Sequence, residues 1–384
     1  MVLTRLRSVP KNYDWGLIDA FSSLAGGERQ GIPEAELWFG DHQFSQCFTG
    51  DGDSVTHFGD WLSSTGQSFP YLVKLLAAAK PLSVQIHPDS QQAAKGFGEE
   101  EAQRIGQDDP RRSYKDPSGK PELLIALSDE FDLLWGFCSP EILSDRLEAW
   151  AASGLEVAVV NGLADLFALP PTEAAVACLS GFEGSEDIIR GITAWSTREQ
   201  PETALGAVAL EREVFTRLAQ HHPGDAGILF ATLMHVVRLS RGESVFIQPG
   251  EVHSYVRGFG LEVMMPSDNV FRAALTTKRR DLQGFLATMA AQPSAVGPFV
   301  VPTLSDDRLT YRVAQVPFVV RELRGPITFV PESHSLIIAV DSVTSVRQGD
   351  SHIELTPATA AFVGAGGDPV ALAGAGSVWV VETA

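Results

Sequence analysis

The residues with the clearest chemical potential lie in Lys80–Ser90 (KPLSVQIHPDS), where Gln85 and His87 are two positions apart. Side chains two positions apart on a strand point to the same face. An amide oxygen and an imidazole can therefore face one cavity. Imidazole is the commonest metal ligand in proteins, and an amide oxygen can complete such a site. Two donors are too few to hold a divalent cation, so other segments must supply more.

Two segments could supply further ligands. Glu122 begins an apolar run, and His253 follows a Pro-Gly turn after the strand-like Ser244–Ile247. One carboxylate with three neutral donors suits a catalytic Zn²⁺ that keeps positions free for water or substrate. The ordinary alternatives are a solvated Glu at the start of a strand and a partly exposed His on a hairpin.

Lys120 lies two positions before Glu122 and would share its face in an extended chain. A nearby dication favours the neutral amine, so Lys120 is a candidate base. The segment 258–281 adds four charged residues separated by small ones: Glu262, Asp268, Arg272 and Lys278. A turn followed by a helix with solvated charges is the alternative interpretation of this segment. Phosphate-loop, hydrolase-elbow, HExxH and EF-hand patterns do not occur in the sequence.

Composition restricts the function classes. The 384 residues are 44% hydrophobic and 20% charged, with a net charge of −19. Nucleic acids and anionic membranes need clustered Lys and Arg, so neither is expected as a partner. An anionic substrate would require local basic residues. We expect a cytoplasmic protein, because the three cysteines form no CxxC pair and neither a secretion signal nor a membrane-spanning run is present.

The residue composition and the predicted secondary structure change twice along the sequence. Residues up to about 139 are rich in short apolar segments, and this β-like texture returns after about 222. The intervening region is rich in Ala, Leu and Glu and predicts four helices, at Pro140–Ser153, Pro171–Ser180, Ser185–Thr197 and Glu202–His222. Regular short strands, such as the one predicted over Leu309–Val320, are typical of antiparallel sandwiches or jelly rolls. The sequence therefore predicts a mainly β protein with a helical insert.

Seven motifs in order carry a resemblance to a known family. They are YDWG (13–16), AELWFGDH (35–42), KPLSVQIHPD (80–89), GKPELLIAL (119–127), HPGDAG (222–227), PGEVHSY (249–255) and SDNVFRAALTTK (267–278). Over Pro10–Leu282 the sequence resembles the type I phosphomannose isomerases, which are cupin-type zinc enzymes. The resemblance implies jelly-roll β-barrel domains: a catalytic cupin domain from 1–139 and 223–300, an inserted helical domain from 140–222, and a C-terminal jelly-roll-like domain from 301–384.

The resemblance also implies an activity and a site. The activity is interconversion of mannose 6-phosphate and fructose 6-phosphate through an enediol, in a monomer with one zinc ion per chain. The zinc ligands fall on Gln85, His87, Glu122 and His253. Other pocket residues fall on Lys74, Ser83, Lys120, Tyr255, Glu262, Asp268, Arg272 and Lys278.

Within that implied site the expected roles differ. Arg272 would stabilise the enediolate or the phosphate, because its guanidinium stays protonated. Lys74, Ser83 and Lys278 are the phosphate candidates. The base is Lys120 or a zinc-bound water, with Glu262 and Asp268 as supports. The alternatives are a metal-dependent cupin oxygenase and a non-catalytic cupin that binds sugar phosphates.

Overall fold

The computed structural model describes residues 2–50, 54–199, 206–289, 299–305 and 308–383. As predicted, the chain is mainly β. Its strands, in chain order, are β1 (Leu3–Ser8), β2 (Leu17–Ile18), β3 (Pro33–Glu34), β4 (Glu36–Gly40), β5 (Cys47–Thr49), β6 (Thr56–His57), β7 (Leu72–Ala78), β8 (Val84–Ile86), β9 (Glu122–Ala126), β10 (Phe131–Phe137), β11 (Met234–Leu239), β12 (Ser244–Ile247), β13 (His253–Met264), β14 (Phe271–Ala274), β15 (Thr303–Ser305), β16 (Arg308–Arg312), β17 (Phe318–Arg324), β18 (Ile327–Phe329), β19 (Ser335–Ala339), β20 (Thr344–Gln348), β21 (Ser351–Leu355), β22 (Thr359–Val363), β23 (Val370–Gly374) and β24 (Ser377–Thr383).

The helices are α1 (Ala20–Leu24), α2 (Phe58–Thr65), α3 (Ser90–Ala102), α4 (Pro140–Ala152), α5 (Val157–Phe167), α6 (Pro171–Ser180), α7 (Ser185–Thr197), α8 (Ala207–His221), α9 (Ala226–Ala231) and α10 (Leu282–Thr288). Four of these correspond to the helices predicted in the middle of the chain. The start of the last predicted helix, at 202–205, lies outside the described residues. No described helix is both long enough and apolar enough to cross a membrane.

The predicted helical insert corresponds to α4–α8, which lie between two strands that pair with each other. Phe131 at the start of β10 is opposite Leu239 at the end of β11. Ser139 begins α4 as an N-cap whose side chain accepts from the Ile142 amide, and Pro140 occupies the first turn. The chain therefore leaves the sheet after β10 and returns beside it, an arrangement that supports the predicted insertion.

One sheet carries the candidate site. Its nine strands include the path β11-β10-β13-β7-β4, with β8, β9, β12 and β14 joined to it. The first part of β13 pairs with β10 and its second part pairs with β7 and β9. At Gly258 φ is +135°, and an added Cβ would come within 2.5 Å of the Phe131 ring, so this change of partner requires glycine. As a result, β13 contributes both His253 and Glu262 to one interior.

A second nine-stranded sheet has the order β15-β16-β17-β24-β19-β22-β1-β5-β6, and a four-stranded sheet has the order β18-β23-β20-β21. These two sheets enclose an aliphatic core that includes Ile337, Val346 and Val380. The strands β1, β5 and β6 belong to the sheet formed by the C-terminal strands, with Leu3 opposite Val363. Residues 1–139 are thus shared between the two nine-stranded sheets, whereas the sequence assigned them to the catalytic unit alone.

Candidate metal centre and active-site cavity

Three of the four predicted metal ligands converge in the interior of the first sheet. His87, Glu122 and His253 are buried, and their ligand atoms all lie within 4.8 Å of one another. His87 Nε2 is 3.4 Å from one oxygen of Glu122, and His253 Nε2 is 3.5 Å from the other. Strand pairing produces this convergence, because Glu122 is opposite Ile247 and His253 is opposite Gln85.

The two imidazoles are oriented by backbone carbonyls. His87 Nδ1 lies 2.7 Å from the carbonyl oxygen of Asn269, and His253 Nδ1 lies 3.1 Å from that of Glu251. A carbonyl can only accept a hydrogen bond, so we assign the proton of each ring to Nδ1 and a lone pair to Nε2. Burial lowers the pKa of both rings, that of His253 to about 4, which favours the neutral form.

This arrangement turns two lone pairs toward a carboxylate. Burial opposes ionisation of Glu122, but Lys120, whose Nζ is 2.9 Å from Oε1, and the two imidazoles hold the Glu122 pKa well below its ordinary value. His87 Nε2 and Glu122 Oε2 are buried and have no hydrogen-bond partner among the described residues. Buried polar atoms are rarely left unpaired, and a cation between these atoms would satisfy both. The residues present therefore fit a divalent metal ion.

Gln85, the fourth predicted ligand, lies at the edge of this group. Its Nε2 is 3.2 Å from His253 Nε2, while its Oε1 accepts a hydrogen bond from Ser83 Oγ at 3.2 Å. The amide nitrogen therefore faces the imidazole in this structure. Because the two ends of an amide have nearly the same shape, a 180° rotation would turn the oxygen toward the three other residues.

The cluster adjoins a cavity of about 440 Å³, which Gln85 and Glu122 help to line. All the predicted site residues except the two buried histidines line it: Lys74, Ser83, Gln85, Lys120, Glu122, Tyr255, Glu262, Asp268, Arg272 and Lys278. Several lining residues were not predicted individually, including Tyr13, Glu36, Trp38 and His221. The first three lie within the YDWG and AELWFGDH motifs, which were the available signal. His221 ends α8, so the helical region contributes to the wall.

One wall of the cavity contains a buried ion-pair network. Lys74 Nζ lies 3.3 Å from Glu262 and 3.8 Å from Glu36, and it also lies over the Trp38 ring. Burial opposes its charge, but these carboxylates raise the Lys74 pKa. Burial, followed by the charge of Glu122, raises the pKa of Glu262 to about 7. Tyr255 OH donates to Glu262 at 2.9 Å. Lys74 is therefore already neutralised by protein carboxylates.

The cavity lining also includes two cations with no acidic partner among the described residues. Arg272 and Lys278 form no ion pair, and their side chains form no hydrogen bond, with any residue that the structure describes, although Lys278 Nζ lies 4.8 Å from the Tyr13 ring centroid. Partial desolvation lowers the pKa of both groups, although Lys278 is an exposed residue, and the charge of Arg272 lowers the Lys278 pKa further. By contrast, Asp268 contacts His42 at 3.3 Å. An anionic ligand would relieve the repulsion between the two cations.

Antiparallel sheets around a buried His-Glu-His group are characteristic of metal-binding cupins. The profile of the phosphomannose isomerase type I catalytic domain matches residues 3–139. A mannose-6-phosphate isomerase from Shigella flexneri is 30% identical, over 97% of this chain and 98% of that protein. The corresponding protein of Salmonella typhimurium is 28% identical over the same shares. The chain belongs to the type I phosphomannose isomerase family.

Solved structures agree with this membership. A crystal structure of mannose 6-phosphate isomerase in its zinc-bound holo form superposes with a TM-score of 0.84, at 26% identity and with 99% of each chain covered. The Salmonella typhimurium enzyme bound to fructose 6-phosphate and zinc superposes with a TM-score of 0.83 at the same identity and coverage. The cupin architecture expected from the sequence is therefore confirmed.

Proposed function

We propose that this protein is a zinc-dependent isomerase that interconverts mannose 6-phosphate and fructose 6-phosphate. The observation that carries this proposal is the buried His87–Glu122–His253 group beside a cavity that also holds two unpaired cations. Family membership and the substrate and zinc bound by the Salmonella typhimurium relative support it. The net reaction moves one proton from C2 to C1 of the open-chain sugar and a second from the O2 hydroxyl to O1, so that the carbonyl moves from C1 to C2.

We infer that Gln85, His87, Glu122 and His253 would hold one Zn²⁺ per chain. When bound, zinc would act as a Lewis acid toward the sugar carbonyl and stabilise negative charge on its oxygen. The carboxylate and two oriented imidazoles suit zinc, and Gln85 would contribute its oxygen after the amide rotation described above.

Lys120 is the residue that we propose to carry the proton. It lines the cavity, and its amine is 2.9 Å from Glu122, so it lies beside the metal group. A Lys amine beside the reacting carbons is a group able to accept a proton and return it. Glu262, held by Tyr255 and Lys74, is placed to accept hydrogen bonds from sugar hydroxyls.

For the phosphate we propose the end of the cavity that contains Arg272 and Lys278. Their lack of acidic partners among the described residues distinguishes them from Lys74, which already contacts two carboxylates. Guanidinium and ammonium groups both form strong charge-assisted hydrogen bonds to phosphate oxygens. Ser83 donates to Gln85, so we assign it to support of the metal group, in place of the phosphate role suggested by sequence.

A second candidate function has one observation in its favour. Two histidines and one carboxylate are also the ligand set of non-haem iron oxygenases. The unpaired cations and the adjacent Gln85 and Lys120 are not explained by oxygen chemistry. Oxygen uptake by the Fe²⁺-loaded protein, without isomerase activity in the zinc-loaded form, would favour the oxygenase.

The decisive experiment is a coupled assay for fructose 6-phosphate formed from mannose 6-phosphate. Zinc-loaded protein is expected to form this product, whereas metal-free protein is not. Absence of product from folded, zinc-loaded protein would reject the proposed function.

We also propose the domain limits at 139, 222 and 300, with β1, β5 and β6 assigned to the C-terminal sheet. A monomeric state and a cytoplasmic location stay predictions.

A further inference from the structure

Asn269 is a fully buried residue in the turn before β14, and it contacts both the proposed ligand His87 and the loop that leads to Glu122. Its backbone carbonyl accepts the hydrogen bond from His87 Nδ1 at 2.7 Å. This bond fixes the plane of the imidazole and directs Nε2 toward Glu122. The backbone of Asn269 therefore orients one of the proposed ligands directly.

The side chain of Asn269 holds the loop that leads to the other ligand. Its Oδ1 accepts from the Lys115 amide at 2.7 Å, and its Nδ2 donates to the carbonyls of Asp116 at 2.7 Å and Ser118 at 2.9 Å. This loop has no helix or strand to pair its backbone groups, so one buried amide satisfies several of them. Two residues after Ser118 the chain reaches Lys120.

Asp116 reinforces the same connection from the loop side. Its carboxylate accepts from the Asp268 amide at 2.8 Å, from Ser267 Oγ at 3.1 Å and from the Ser118 amide at 2.9 Å. The backbone N–H of Asn269 in turn donates to Ser267 Oγ at 3.2 Å. The turn before β14 and the loop before β9 are thus joined by a closed set of hydrogen bonds, which we call the Asn269 clamp.

We propose that Asn269 is a positioning residue that sets the affinity of the protein for its metal ion. It fixes the orientation of His87 and the path of the loop that delivers Lys120 and Glu122, so a disturbance at one residue displaces both sides of the metal centre. The inference rests on the proposed zinc site. Residues that orient metal ligands typically change metal affinity or activity by about 10- to 100-fold when they are replaced.

The test is Asn269→Asp, which keeps the size of the side chain. The variant loses the Nδ2 donors to Asp116 and Ser118 and brings a second carboxylate beside Asp116. We expect its zinc dissociation constant, measured by competition with a chromophoric chelator, to rise by about 10- to 100-fold. Isomerase activity should largely return at saturating zinc, because Asn269 does not line the cavity.

Gln348→Glu is the matched control. Gln348 is also a buried amide, and its Nε2 donates to the Asp368 carbonyl at 3.2 Å, but it lies in β20 of the four-stranded sheet. The same chemical change there should leave the zinc constant unaltered even if the melting temperature falls. If Asn269→Asp does not fold, Asn269→Ser is judged by the same measurement.

An unaltered zinc constant in the folded Asn269 variant, or equal weakening in Gln348→Glu, would overturn the inference. The natural protein is measured in parallel. If it binds zinc and isomerises the sugar while the Asn269 variant binds zinc equally well, only the role of Asn269 fails. If the natural protein itself binds no zinc or forms no product, the proposed function fails.

Discussion

The two β units of this protein enclose interiors of opposite character. Between the C-terminal sheets the interior is aliphatic, with Ile337, Val346, Leu372 and Val380 in contact. In the catalytic sheet the strands are equally buried, but one face contributes charged residues. On β7, Val73 and Leu75 pack in the core between the two nine-stranded sheets, while Lys74 between them faces the cavity.

The difference shows where this architecture can carry chemistry. A buried charge is costly unless it has a partner, and the fully buried charges here are paired: Lys74 with Glu36 and Glu262, and Glu122 with Lys120. Among the described residues, the one group of three metal-ligating side chains lies in this unit. Under the proposed function the reactive groups come from the catalytic unit, whereas the interior between the C-terminal sheets is aliphatic.

Metal removal should produce the largest effect, and only in the catalytic unit. Without the cation, the lone pairs of His87 and His253 face the Glu122 carboxylate unopposed, so chelation is expected to abolish isomerase activity. Added Zn²⁺ should restore it. The measurement is the rate of product formation, with circular dichroism to check folding. Full activity in protein verified as metal-free would show that the activity does not depend on a metal ion in the catalytic unit.

A core substitution in the C-terminal unit should lower the stability of the protein and leave its activity unaltered. Ile337→Ala removes a fully buried side chain in β19 and is expected to lower the free energy of unfolding by about 2–5 kcal/mol. Values of kcat and KM at a temperature where the variant is folded should be unaltered. Denaturant unfolding measures the stability and steady-state kinetics measures the activity. Loss of kcat in the folded variant would show that the C-terminal core affects the active site.

Arg272→Ala tests the cationic end of the cavity. Because Arg272 lies opposite Gln85 in the pairing of β14 with β8, we propose that its charge also stabilises the enediolate, and removal of such a group typically lowers kcat by about 10²-fold or more. Arg324→Ala, in the C-terminal β17 and paired with Glu322, is the matched control and should leave kcat unaltered. The measurement is steady-state kinetics with mannose 6-phosphate. An unaltered kcat would show that Arg272 takes no part in the chemical step.

Lys278→Met should give the smallest effect. The side chain keeps its approximate length and loses one charge facing the proposed phosphate site, so KM should rise by about tenfold, near 1.4 kcal/mol, with kcat little altered. Lys95→Met, on the exposed face of α3, provides the comparison. If both variants retain the natural KM, the phosphate does not bind beside Lys278.

Much of the site could be predicted because its signals are local. The Gln-x-His alternation, the Pro-Gly turn before His253 and the Lys-x-Glu pair each lie within a few residues. The partners of Lys74 could not be predicted in this way. They depend on the register of β7 with β4 and β13, where Trp38 and Glu262 lie opposite Lys74. Asn269 was overlooked for the same reason, since its contacts join turns that are far apart in sequence.

The fold shows a similar division. The limits of α6 and α7 were predicted correctly from apolar spacing. The helix α5 was not predicted, because its opening Val-Ala-Val-Val run has the β-branched character of a strand. At Phe271–Ala274 the alternative of a helix was wrong: pairing with β8 outweighs the helical propensity of the two alanines. The predicted strand Leu309–Val320 is two strands, β16 and β17.

The position of β1 also bears on how the chain folds during synthesis. One edge of this strand pairs with β5 and the other pairs with β22. Leu3 can therefore reach its pairing partner only after Val363 has been synthesised. Until the ribosome has made β22, that edge presents unpaired amides and carbonyls, which are prone to aggregation with other nascent chains. Closing so long a loop is slow. The strand β1 therefore leaves the ribosome long before its pairing can be completed, and variants that stop short of β22 would leave this edge permanently unpaired.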